Sequence, residues 1–242
     1  MTTTIHYSVS EGTSTANVEK VSPFALEMVQ PDLTPWTDSV DKNVIYTQCP
    51  VWNHRNKRNF IVRAAIDFSF RYHRNAPPEQ RLEIIKLNRD VGDYILIQEN
   101  YDYNQPVFQY RFPTILFWTD NRNVWVESKP HPYTSANNNF ISIGGWWNLT
   151  KWNRPVNLAI QMVDENKPVV IRRGDPLFEV SFYNQHNLND EIKLVRELEI
   201  PDKIWNEQHR NSNVKKYLKM MNPRHLFTDQ PKSKCPFAFL KR

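Results

Sequence analysis

Glycine is scarce in this chain. Five occur in 242 residues (Gly12, Gly92, Gly144, Gly145 and Gly174), against 17 prolines. That scarcity excludes glycine-rich phosphate loops, dinucleotide-binding fingerprints and collagen-like repeats, which need glycine where backbone bends sharply or approaches a ligand. Cysteine is scarcer still. Cys49 and Cys235 lie far apart, each followed by proline, so a disulfide framework is excluded, and without a secretory signal a single bridge is not expected. No apolar run approaches the roughly 20 residues that cross a bilayer. The opening stretch MTTTIHYSVSEGTSTANVEK lacks the charged-then-apolar pattern of a signal peptide. The expectation is an intracellular-type protein with no membrane contact, whose Asn148-Leu149-Thr150 sequon goes unglycosylated.

What is present points to a folded β domain. A hydrophobic share of 40% with 13% aromatics is too apolar for a disordered chain. A chain of this length buries roughly three quarters of its extended surface without staples. Net charge is +5, unevenly spread. From Pro201 to Arg242 ten basic residues face only Asp202, Glu207 and Asp229, a balance of +7, so residues 1–200 sum to −2. Such asymmetry marks either contact with an acidic surface, nucleic acid included, or a solvated helix face.

Residues 1–22, rich in Thr and Ser, read as a flexible or extended N-terminal arm. Residues 23–184 read as the β domain. The clearest strand is Asn59 to Arg71, with Phe60, Val62, Ala64, Ile66, Phe68 and Phe70 on one face and Ile61, Arg63, Ala65, Asp67, Ser69 and Arg71 on a wet outer face. Further strands are expected at Phe24–Val29, Val44–Thr47, Arg81–Leu87, Tyr94–Gln98, Phe108–Trp118, Val124–Glu127, Phe140–Ile143, Val156–Met162, Val169–Arg172 and Leu177–Tyr183. Short strands between Pro, Asn and Asp clusters, with no helical crossovers, predict a mainly β fold: an antiparallel β-sandwich or β-clip-like barrel. Residues 185–242 read as a basic helical C-terminal extension, with helices over Asn187–Glu199 and Asp202–Met221 broken at Pro201. Its aromatic end, Pro236 to Leu240, is suited to docking on the sheet or on another chain.

The chemistry-bearing residue types form few patterns. The seven histidines make no pair with another His or Cys at ligand spacing, so neither a metal nor another cofactor is expected. There is no nucleophile elbow and no P-loop. Cys49 precedes His54, Arg55, Lys57 and Arg58, and positive neighbours would activate a thiol; the plainer alternative is a small buried residue at a strand end. The run Asn53 to Arg58 suits phosphate contact through Arg55, Lys57 and Arg58, or is a wet hairpin loop. Lys215, Lys216 and Lys219 offer the same chemistry in the tail. Gly144-Gly145-Trp146-Trp147, with Trp152 and Arg154 close behind, combines close backbone approach with flat stacking surfaces. It is read either as a ligand site, with Cys49 and His54 as further members, or as a strand bend covered by core aromatics. Arg172-Arg173-Gly174-Asp175 is a turn in which Gly174 supplies a positive φ.

Two resemblances follow from these residues. The 28 residues VNLAIQMVDENKPVVIRRGDPLFEVSFY, from Val156 to Tyr183, resemble the last hairpin of the dUTPase-like β-clip fold. The acidic substrate motif, uracil hairpin and glycine-rich arm of that family are missing, so nucleotide hydrolysis is not implied. Cys49-Pro50-Val51-Trp52, Asn59 to Val62, Trp146-Trp147 and Arg173 to Phe178 together resemble uncharacterised proteins of tailed phages, especially cyanophages. That resemblance implies a setting in the infected host's cytoplasm or in the virion. The combined expectation is a non-enzymatic binding or structural protein. A protein partner or a second copy is expected as its contact, with nucleic acid as a further partner of the basic tail. The alternative is a small-ligand or enzymatic β-clip or cupin-like protein with its site near Trp146 and Trp147.

Overall fold

The computed structural model describes residues 2–10, 32–41, 43–87, 97–100, 106–110, 114–156 and 158–212. In chain order its strands are β1 (Thr2–Ser10), β2 (Asp32–Pro35), β3 (Asn59–Arg63), β4 (Phe68–Tyr72), β5 (Leu82–Leu87), β6 (Ile97–Asn100), β7 (Val107–Tyr110) and β8 (Thr114–Trp118). There follow β9 (Val124–Lys129), β10 (Phe140–Ser142), β11 (Gly145–Asn148), β12 (Ala159–Met162), β13 (Val169–Ile171), β14 (Pro176–Asn184) and β15 (Glu191–Arg196). Helices are α1 (Pro50–Asn56), α2 (Pro132–Asn137) and α3 (Asp202–Ser212). The fold is mainly β, as expected. The described residues form four sheets, β11-β9-β14-β3-β2, β10-β12-β7-β6, β15-β1-β8 and β13-β4-β5. Every ladder is antiparallel except β1 with β15.

One core serves all four sheets. Alternation along β9 and β14 sends Val124, Val126, Val180 and Phe182 inward, each fully buried. Phe182 packs edge-on against Phe117 of β8 at 5.1 Å, and Phe70 of β4 against Phe108 of β7 at 4.8 Å. Full burial of each such ring is worth about 2–3 kcal/mol against exposure.

The long alternating run Asn59 to Arg71 is two strands rather than one. Alternation of the inward residues continues through Ala64 and Ile66, both buried, but the chain changes sheets between β3 and β4. The β13–β14 turn crosses beside it: Gly174 N–H donates to Ala64 O (2.8 Å), and Ala64 N–H to Asp175 O (2.9 Å). Gly174 has φ +89°, the positive value expected of it. The Asp175 carboxylate caps its own turn by accepting from Arg172 N–H and from the Asn138 amide. The outer row is also less wet than the pattern implies: Ile61 and Ser69 are buried. Strands β12, β13 and β14, which make up the β-clip-like stretch, pair with strands of three different sheets rather than with one another.

Three local expectations are corrected. Val44–Thr47 is not a strand: Ile45–Gln48 forms a 3-10 turn held by local backbone bonds such as Thr47 N–H to Val44 O. A short apolar run needs a strand partner to become β, and this one stands in solvent with Ile45 86% exposed. Asn187–Glu199 is not a helix, because Glu191–Arg196 is β15 and lies parallel to β1. The N-terminal arm is ordered over Thr2–Ser10, where β1 sits between β15 and β8. Both outcomes have one cause: β15 is a strand through β1, nearly 190 positions away in sequence, and the arm is held extended by β15 and β8. A buried polar cluster fastens this junction. Thr3 Oγ1 donates to Asp190 Oδ2 (2.9 Å), and Asn184 Nδ2 donates to both Asp190 Oδ2 and Thr3 Oγ1 (3.1 Å each).

The second expected tail helix is present as α3, with Asp202 in its first turn. The expected strand Phe24–Val29 and the tail residues 213–242 lie outside the described residues. No helix among the described residues is long and apolar enough to cross a membrane.

Candidate binding face

The five-stranded sheet has one face in the core and one outside it. Pairing fixes which side chains share the outer face. Trp146 lies opposite Glu127, and Asn148 opposite Trp125. Tyr183 lies opposite Trp125, Ser181 opposite Glu127, and Glu179 opposite Lys129. Asn59 lies opposite Ser181, and Ile61 opposite Glu179. This face has two halves.

The half over β3 and β14 is roofed. The 3-10 turn Trp36–Ser39 and α1 pack upon it: Arg63, an outer-face residue, donates to Ser39 Oγ (3.0 Å), and Asn59 Nδ2 to Asn56 Oδ1 (3.5 Å). Aromatic contacts build the roof, with Trp36 edge-on to Trp52 (6.0 Å), Tyr46 against Trp52 (5.5 Å) and Trp36 stacked on His131 (5.9 Å). Beneath it lies a polar network. Glu179, 7% exposed at its side chain, accepts from Lys129 Nζ (3.2 Å) and Asn59 Nδ2 (2.8 Å). Ser181 Oγ donates to Asn59 Oδ1 (2.8 Å). A buried charge so paired is held in place, because breaking the pair strands the partner. His131 Nδ1 accepts from Tyr133 N–H at the start of α2. Burial lowers its pKa; Glu179 opposes that shift and Arg63 adds to it.

Among the described residues, the half over β9 and β11 is open. Trp146 is 64% exposed, and its ring lies 4.9 Å from that of Trp125, tilted by 42°. Trp125 Nε1–H donates to Gln185 Oε1 (3.2 Å), which fixes the indole. Tyr183 Oη donates to Glu127 Oε2 (3.0 Å). Burial is the main cause raising the Tyr183 pKa, so the phenol keeps the proton it donates at neutral pH. Trp146, Trp125 and Tyr183 thus form an aromatic stripe across three strands, edged by a carboxylate and an exposed carboxamide. Among the described residues, β11 is the end strand of the sheet. Gly144, just before it, passes close to β9: a Cβ there would meet Ser128 O at 2.3 Å. That is the close backbone approach expected of this loop.

The residues singled out from sequence are separated. Trp146 faces out, and Trp147 faces the core with its Nε1 buried and without an acceptor. Trp152 packs on the core edge, with the Arg154 guanidinium 4.8 Å over its ring; burial lowers the Arg154 pKa. Cys49 is exposed at the N-cap of α1, not buried at a strand end. His54, Arg55 and Lys57 are exposed on or just after α1, so the expected hairpin loop is a helix, begun by Pro50 at its first turn. Arg58 is buried, which removes it from any exposed contact set, and its carbonyl accepts from Phe182 N–H. Lys215, Lys216 and Lys219 lie outside the described residues. Sequence reasoning did not find Trp125, Glu127, Tyr183 or Gln185. The available signal was Val124-Trp125-Val126-Glu127, an alternating strand with tryptophan at an outward position.

Other places are engaged structurally. A hollow lined by His73, Arg74, Asn75, Ala76 and Gln80 has His73 bonded to Glu83 (2.8 Å) and Arg74 to Glu165. Among the described residues, no three His, Cys, Asp or Glu side chains are grouped to hold a metal ion. The buried Asn148 carboxamide of the sequon caps its own turn, accepting from Thr150 N–H and Oγ1. No protein-family model matches the chain, and no curated protein matches it in sequence.

Proposed function

We propose that this is a non-enzymatic binding protein, of the tailed-phage kind its motifs resemble, acting in the infected cell or the virion. The β-sandwich is its scaffold, and the open half of the outer sheet face is its contact surface. The observation that carries this reading is the Trp125–Trp146 pair. A tryptophan left 64% exposed beside a second indole, on a rigid antiparallel sheet, is a surface suited to an apolar or planar partner. The +7 segment from Pro201 to Arg242 adds an electrostatic contact for an acidic partner, a reading supported by charge alone.

The enzymatic or small-ligand alternative puts one site near Trp146, Trp147, Trp152 and Arg154, with Cys49 and His54 as further members. The opposite orientations of Trp146 and Trp147 count against it. The test is retention on immobilised protein from extracts of producing cells, with the retained fraction typed by protease, nuclease and glycosidase sensitivity. The wild type is expected to hold a component that Trp146→Ala releases. Equal retention by both proteins would remove the stripe from the contact.

A further inference from the structure

Resting on that reading of the open face, we infer that the Trp125–Trp146 stripe is a carbohydrate site that takes a neutral pyranoside chain. Three features favour a sugar. A pyranose with equatorial substituents presents a flat face of C–H groups, which packs on an indole, and hydroxyl edges, which need hydrogen-bond partners at the ring's rim. The stripe supplies both: two indoles 4.9 Å apart, the Glu127 carboxylate directly across from Trp146, and the exposed Gln185 carboxamide bonded to the Trp125 N–H. The rim groups are also held in advance. Tyr183 fixes Glu127, and Gln185 fixes Trp125, so little side-chain freedom is lost on binding.

The third feature is charge. Stacking bases would use the same indoles, but the Glu127 carboxylate directly across from Trp146 repels phosphates, and Arg55 offsets it at the other end of the stripe, where it acts on the Tyr183 phenol. A neutral chain meets no such penalty. The stripe crosses from β14 to β11, the end strand among the described residues.

The test is affinity electrophoresis of the full chain in native gels containing a neutral β-glucan, glucomannan or dextran. It is run on wild type, Trp146→Ala, Gln185→Ala and a control, Ile45→Ala, which removes a still more exposed apolar side chain from the 3-10 turn Ile45–Gln48. At least one polysaccharide is expected to retard the wild type and the control. Trp146→Ala should bind it about tenfold or more weakly, and Gln185→Ala should fall between. A cooperative urea transition in each variant shows that it is folded. No retardation in any of these gels, or retardation indifferent to Trp146, overturns the inference. Sedimentation velocity separates this failure from that of the binding-face reading. Self-association lost in Trp146→Ala would make the stripe a protein contact, so the glycan inference would fall and the binding face would stand.

Discussion

The two halves of one sheet face differ in what their polar groups are for. Under the roof, Glu179, Lys129, Asn59 and Ser181 bond to one another, and all but the partly exposed Lys129 are buried. In the open half, Glu127 and Gln185 bond to aromatic side chains that remain accessible. Both halves come from the same strands and the same two-residue alternation. The difference is the 3-10 turn Trp36–Ser39 and α1, which cover β3 and, among the described residues, leave Trp125 of β9 and Trp146 of β11 accessible. Polar residues on a sheet face are therefore no guide to a site until the segment above them is placed.

The contrast can be broken most forcefully in the roofed half. Glu179→Ala leaves the Lys129 ammonium and the Asn59 amide without their buried acceptor, and a loss of about 3 kcal/mol in unfolding free energy is expected by urea denaturation. Asn59→Ala removes the carboxamide that donates to Glu179 and accepts from Ser181 and should cost about 1–2 kcal/mol.

Acid is a milder probe of the same half. His131 has a lowered pKa in the fold, so between the folded and unfolded values the unfolded chain binds the proton first. Stability is then full above the ordinary histidine value of about 6.5 and declines as pH falls below it. Protonation would also take away the Nδ1 acceptor that starts α2. Thermal unfolding followed from pH 8 to 5 should show this decline, and His131→Gln should flatten it. The smallest effect belongs to the open half. Trp146→Ala should change stability by less than about 1 kcal/mol, since its ring is mostly in water.

Much of the scaffold was legible in the sequence. The inward rows of β9, β13 and β14 follow their alternation, and the turn at Gly174 follows its chemistry. The break at Ala64–Asp67 was hidden because the inward residues keep alternating while the chain moves between sheets. β15 was hidden because its strand state depends on β1, and charged residues interleaved with Ile192 and Leu194 fit a helix equally well when no partner is known. In the site, Trp146 was visible as part of a Trp-Trp pair, but period-2 geometry sends its neighbour Trp147 inward. Its true companion, Trp125, comes from another strand, and only register joins them.

The most direct measurement compares Trp146→Ala and Glu179→Ala side by side, reading urea midpoints and retardation in the polysaccharide gel on the same preparations. The account predicts that Trp146→Ala keeps the wild-type midpoint within error and loses retardation, while Glu179→Ala unfolds at clearly lower urea and, where still folded, is retarded like wild type. A Trp146→Ala protein that is as destabilised as Glu179→Ala, or that migrates like wild type in every gel, would contradict it.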